Sequence, residues 1–252
     1  MAGHSKWANI KRQKARVDAK RGKTFTQLSR AIIVAARQGV PDPAGNFQLR
    51  TAIEKAKAAG MPNDNIDRAI AKGAGTFNNG DAQYEEIRYE GYGAGGVAIL
   101  IEALTDNRNR TAADLREAFS KNGGNLGETG CVSWMFERKG VAVLTGDVDE
   151  EALLEASLAG EAESYELIPE NEEVAVFTTV ENLEILSQTL RDADFTVNET
   201  ELRWIPETEL ELQEIDQVRT VIEMIDAIEL LDDVQNVTAN LAIAPEIELL
   251  NA

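Results

Sequence analysis

With 252 residues, 43% of them hydrophobic and 27% charged, the chain has the length of two or three domains and an ordinary globular composition. One cysteine, Cys131, and one histidine, His4, exclude an internal disulfide, a zinc finger and any Cys/His metal cluster. The net charge of −19 is split unevenly: residues 1–78 hold 15 Lys and Arg against 5 Asp and Glu, and the remainder holds 10 against 39. A basic head thus sits on an acidic body, and such polarity orients a molecule as it approaches a polyanion. No apolar run approaches the roughly 20 residues of a membrane span. No apolar segment follows the N-terminal charges as it would in a secretory signal. A cytoplasmic protein in a reducing compartment is expected, with no membrane, metal or cofactor.

The head opens on Met1–Thr24. Here Lys6, Lys11, Arg12, Lys14, Arg16, Lys20, Arg21 and Lys23 are accompanied by a single acid, Asp18. So dense a run of one sign, in a chain of the opposite sign, points to a cationic arm or helix that meets a nucleic-acid backbone. Trp7–Ala19 lacks Gly and Pro and reads as a helix, capped by Ser5 and closed by Gly22. A second helix starts near Thr24 with Phe25, Leu28, Ile32 and Ala35 as its apolar stripe, and stops at Gly39 and Pro41. Asp42-Pro43 predicts the cap and first residue of a third helix, with Phe47, Ala52, Ile53 and Ala56 inward. Asn63 caps a short fourth, carrying Ile66, Ala69 and Ile70 and closed by Gly73. Residues 75–82 are a Gly/Asn-rich linker.

The period then changes. Tyr84–Glu90 and Val97–Leu104 predict strands joined by Gly91–Gly96. Thr111–Lys121 predicts a helix with Leu115, Ala118 and Phe119 inward, and Thr111 and Asp114 at capping-box spacing. Cys131–Glu137 reads as a strand with Val132, Trp134 and Phe136 on one face. Next come strand Val141–Leu144, helix Glu150–Ala159, strands Ser164–Ile168 and Glu173–Thr178, helix Glu181–Ala193 and strand Phe195–Ile205. That order, βαββαβ, is ferredoxin-like. The closing helix, with Ile215, Val218, Ile222 and Ile225, and the strand Val234–Ile243 have no sheet of their own. Element counting returns them to the preceding ββαβ unit. The expected fold is α+β: an N-terminal all-helical domain (1–78) followed by two α/β-sandwich-type domains. The middle one is discontinuous (79–137 plus 207–252), and the ferredoxin-like one (138–206) is inserted in it.

The glycines between Tyr89 and Gly96 do not make a P-loop, because no Lys-Ser/Thr follows and a strand comes next. A hairpin turn is the better reading. Thr105-Asp106-Asn107-Arg108-Asn109-Arg110-Thr111 joins a strand to a helix N-terminus. Arg108 and Arg110 there suit phosphate or base edges; equally, they pair with local carboxylates. His4 has no Ser, Cys or Asp close in sequence and is read as solvent-exposed or phosphate-contacting. Cys131 reads as a small buried hydrophobe. No EF-hand spacing and no HExxH occurs, and no catalytic constellation is found.

Several segments together resemble the YebC family, whose mitochondrial relative is the translational activator of cytochrome c oxidase. They are Gly3-His4-Ser5-Lys6-Trp7 with Lys11 and Lys14, Ala35-Ala36-Arg37, Asp42-Pro43, Met61-Pro62 with Asn65-Ile66, Tyr89-Glu90-Gly91-Tyr92-Gly93, Thr105 to Thr111, and Asp232-Asp233-Val234-Gln235. Val40 departs from the family's usual second glycine, and Cys131 stands where Ser is common. The resemblance implies three domains with the middle one discontinuous. It also implies a non-enzymatic cytoplasmic protein, described in the family as a DNA-binding transcriptional regulator. Other members look like ribosome-associated factors that relieve stalling at proline runs, for which ribosomal RNA is the partner. The expected nucleic-acid-binding residues are His4, Lys6, Trp7, Lys11, Arg12, Lys14, Arg16, Lys20, Arg21, Lys23, Arg108 and Arg110. A monomer is expected.

Overall fold

The computed structural model describes residues 21–75, 84–168 and 172–242, with side chains from residue 25. The predicted helix Trp7–Ala19 lies outside them. The described chain forms two compact units, one within residues 21–134 and 210–242, the other within 135–209.

The first unit begins with three helices: α1 (Arg21–Gln38), α2 (Phe47–Ala58) and α3 (Asn63–Gly73). Ile32, Ile33, Ala35 and Ala36 of α1 pack with Leu49, Ile53, Ala56, Met61, Ile66 and Ala69 in one buried cluster. Gly22 lies inside α1. The third predicted helix starts later than Asp42-Pro43, because Asn46 is the better cap. Its side-chain oxygen accepts from Leu49 N at 3.0 Å, while its amide nitrogen donates to Ala35 O and Val40 O. Asp42 instead accepts from Ala44 N at 2.9 Å and shapes the turn ahead of it.

The sheet of this unit has the order β3-β1-β2-β9. Strands β1 (Glu85–Tyr92) and β2 (Ala98–Thr105) pair antiparallel with Glu85 opposite Thr105 and Tyr92 opposite Ala98. A hairpin with a short 3-10 turn at Ala94–Gly96 joins them, as the glycine spacing predicts. Short β3 (Asn125–Leu126) pairs with β1. Helix α4 (Arg108–Lys121) buries Leu115, Ala118 and Phe119. It starts earlier than the Thr111/Asp114 spacing suggests, because Asn107 is the cap and accepts from Arg110 N at 3.1 Å. The residues after 209 return to this sheet. Helix α7 (Ile215–Glu229) buries Val218, Val221, Met224, Ile225 and Ile228. After it, β9 (Val234–Ala239) hydrogen-bonds along β2. Two-residue strands β8 (Leu210–Glu211) and β10 (Leu241–Ala242) pair in parallel beside it.

The second unit comprises β4 (Phe136–Thr145), α5 (Glu150–Ala159), β5 (Ser164–Ile168), β6 (Glu173–Thr178), α6 (Leu183–Asp192) and β7 (Val197–Pro206). The sheet order β5-β6-β4-β7, antiparallel throughout, is the ferredoxin-like one. Ala142, Leu144, Val174 and Val176 meet Leu153, Ala156, Leu186 and Leu190 of the two helices on one face.

The predicted strand Cys131–Glu137 is not formed. Ser133–Met135 is a 3-10 turn, and β4 begins at Phe136. The alternation of Val132, Trp134 and Phe136 misleads here. Val132 and Phe136 are buried, but the tighter turn between them swings Trp134 outward, 68% exposed.

Candidate nucleic-acid interface

Eight of the predicted contact residues, His4, Lys6, Trp7, Lys11, Arg12, Lys14, Arg16 and Lys20, lie outside the described residues. Arg21 and Lys23 stand in the first turn of α1. The helical region continues the positive charge of the head: Arg37 near the end of α1, Lys57 on α2 and Arg68 on α3 are exposed. Arg37 closes the Ala35-Ala36-Arg37 segment, whereas only the charge count of residues 1–78 signals Lys57 and Arg68.

Arg108 and Arg110 sit in the first turn of α4 and differ in environment. Arg108 is 66% exposed and lies 3.7 Å from the Glu85 carboxylate, itself 54% exposed. Arg110 is held: its Nη2 lies 2.7 and 3.0 Å from the two oxygens of Asp233 and 2.8 Å from Asp106 Oδ1. Asp233, buried just before β9, is a hub. It also accepts from Arg30 of α1 at 2.9 Å, from Thr111 at 2.7 Å and from Thr105 at 3.1 Å. Burial pushes its carboxyl up, but the bonds from Arg110 and Thr111 and the charges of Arg110 and Arg30 outweigh that, so its pKa lies below the ordinary aspartate value. Arg30 also donates to the Asp232 carbonyl and lies over the Tyr84 ring, 5.5 Å from its centroid. Gln27 donates to Val234 O at 2.6 Å. These contacts fasten α1 to the chain that forms β9. The sequence motif around Asp233 marks the region, but the separation of 203 positions between Arg30 and Asp233 hides the pairing.

A second buried carboxylate, Glu90, organises the loop before the 3-10 turn. It is 3% exposed and accepts from the backbone N–H of Gly130, Val132 and Ser133 at 2.7–2.8 Å. Burial raises its pKa and the three N–H donors lower it, with a net fall below the ordinary glutamate value. Tyr92 OH and Trp134 Nε1 both donate to Cys131 O, at 2.8 and 3.1 Å. Cys131 is partly exposed, not a buried hydrophobe, and its thiol is pushed up by burial and by the neighbouring charge of Glu90. Among the described residues, no group of three or more His, Cys, Asp and Glu is placed to hold a metal ion. No described helix is long and apolar enough to cross a membrane.

The class this architecture defines is an α+β protein with a basic helical region, a sheet completed by the chain's last described elements and a ferredoxin-like unit between. The chain belongs to the TACO1/YebC family. Residues 5–76 match the TACO1/YebC protein N-terminal domain, and residues 84–241 match the TACO1/YebC second and third domain. A relative from Picosynechococcus sp. is 79% identical over 97% of this chain and 98% of its own length. One from Nostoc sp. is 75% identical over 95% of each. Both are named "probable transcriptional regulatory protein". The crystal structure of a conserved hypothetical protein from Aquifex aeolicus superposes with a TM-score of 0.82 at 45% identity, covering 92% of this chain and 95% of that one.

Proposed function

We propose that the chain is a non-enzymatic, cytoplasmic nucleic-acid-binding regulator that holds its target chiefly through the basic head. The observation that carries this is the charge division, net positive before residue 79 and strongly negative after it. An acidic body repels phosphate, so affinity falls to the head and to local patches. The relatives' names favour a DNA-binding transcriptional regulator. A second reading, a factor on ribosomal RNA, is favoured by the disposition of the arginines. Arg110, the side chain suited to reading a base edge, is engaged by Asp233 and Asp106. The head offers mostly point charges for phosphate, and such contacts position a protein without reading sequence. Arg108, in an open and weak ion pair, can exchange Glu85 for a phosphate.

Crosslinking in cells, with the attached DNA and RNA both sequenced, tests the proposal. Discrete promoter peaks with ribosomal RNA at background support the transcriptional reading and reject the ribosomal one. Ribosomal RNA joined to Lys6–Lys23 without promoter peaks does the reverse. The absence of both enrichments rejects nucleic-acid binding. Hydrolysis of a nucleotide or nucleic acid by the pure protein, lost on changing His4, would reject the non-enzymatic reading.

A further inference from the structure

We propose that the loop 127–134 is a binding site for one unpaired nucleobase, with the indole of Trp134 as its stacking platform. The inference rests on the nucleic-acid reading above and adds a contact on the acidic body.

Trp134 is the single aromatic side chain left exposed among the described residues. Its exposure is built. The 3-10 turn at Ser133–Met135 leaves it outward while Val132 and Phe136 on either side of it are buried. The indole edge is pinned by the bond from Nε1 to Cys131 O. That carbonyl is fixed from the other side by Tyr92 OH. The backbone on which the ring stands is clamped at three N–H groups by Glu90, a carboxylate whose burial carries a heavy desolvation cost. A loop that had only to turn a corner would not need a buried charge to hold it. The result is a rigid aromatic face turned to solvent, which pays little ordering entropy when a flat partner stacks on it.

The chemistry of the surroundings selects the partner. Exposed neighbours in the same loop are Glu128, Thr129 and Gly130, and no second large apolar side chain of residues 127–134 is exposed. A protein-docking hot spot is ringed by contacts that exclude water, and the small and acidic exposed neighbours in this loop, Glu128, Thr129 and Gly130, are poor material for such a ring. Phosphate is disfavoured beside Glu128. A base is not, because stacking uses the neutral π-face and every base has one. Duplex bases are already stacked, so the site takes a base in a single strand, a loop or a bulge.

The test uses the full chain carrying 5-fluorotryptophan. Its three tryptophans, Trp7, Trp134 and Trp204, give separate fluorine resonances, with Trp134 assigned by its loss in Trp134→Phe. The expected result is a saturable shift of the Trp134 resonance with a single-stranded RNA 20-mer, and none with a duplex of the same length. A single-stranded DNA 20-mer in a parallel arm distinguishes the sources of the base. Labelled-oligonucleotide anisotropy should show Trp134→Ala weakening single-strand binding about 10-fold, duplex binding unchanged, and Trp134→Phe restoring most of the loss. Unchanged melting temperature in Trp134→Ala separates this from a folding defect. An unmoved Trp134 resonance while the oligonucleotide binds overturns the inference and leaves the basic-head function standing. That is also the outcome if Trp134 docks a protein instead. Failure of the unaltered chain to bind any oligonucleotide overturns both.

Discussion

Asp233 shows how one residue ties distant chain together, and its energetics are measurable. It accepts from Arg30, Arg110, Thr105 and Thr111, which come from α1, β2 and α4. Its folded-state pKa lies below the unfolded value, so its stabilisation is complete above the ordinary aspartate range of about pH 4. It is lost as pH falls through the folded pKa. Asp233→Asn should cost about 2 kcal/mol at pH 7, a figure lowered because half-exposed Arg110 is screened by solvent. Thermal melts should show the gap between the two proteins closing as pH is taken from 5 towards 2.5. A gap that stays constant over that interval would reject the hub as a charge-dependent fastening.

Among the elements, the packing of α3 on α1 depends on one glycine. A Cβ placed on Gly73 would stand 2.5 Å from the Ile33 carbonyl oxygen and 2.7 Å from Ala36 Cβ. The obstacle at Ile33 is backbone, which cannot rotate away, so the helices must separate. Gly73→Ala, which on propensity alone would favour a helix, should instead destabilise the protein by about 2 kcal/mol. Urea unfolding monitored by circular dichroism measures it, and an unchanged or higher midpoint would show that the contact yields. The two glycines Gly91 and Gly124 have a related role at the sheet, where an added Cβ would meet the Phe119 ring at 2.6 and 3.0 Å.

For the whole molecule, the charge division predicts a salt dependence. If the head neutralises about six phosphates, log K against log salt should slope near −5 on duplex DNA. Lys11→Glu combined with Lys14→Glu should weaken binding and flatten that slope; equal slopes for the two proteins would count against the head. The three-domain division is a second proposal at this scale. Glu207 N donates to Met135 O at 2.9 Å, which places the two ends of the ferredoxin-like unit side by side. Replacing residues 136–206 by a short Gly/Ser bridge should leave a cooperatively unfolding remainder, because β9 keeps its ladder with β2. A broad, non-cooperative melt of the shortened chain would show that the unit is needed for the rest to fold.

The sequence alone determined the type of most described elements, because periodicity and glycine placement are local signals. The stripe of Leu115, Ala118 and Phe119, the glycine hairpin and the βαββαβ order were all legible in it. So was the return of the last helix and strand, since a half-covered sheet leaves an apolar face that something must bury. Cap positions were less so: Asn46 and Asn107 displaced Asp42 and Thr111 because each side chain reaches the orphan N–H of its helix. Only the tertiary structure decided what Glu90, Arg110 and Trp134 do. In the sequence Arg110 suits a phosphate and a local carboxylate equally, nothing marks Glu90 as buried, and Trp134 looks like a core residue of a strand. Their places depend on partners across the fold, Gly130 to Ser133 for Glu90 and Asp233 for Arg110. For Trp134 the decisive step is a change of period over three residues. Long-range hydrogen bonds and short turns leave no repeat in a sequence, which is why the stacking face emerged only with the fold.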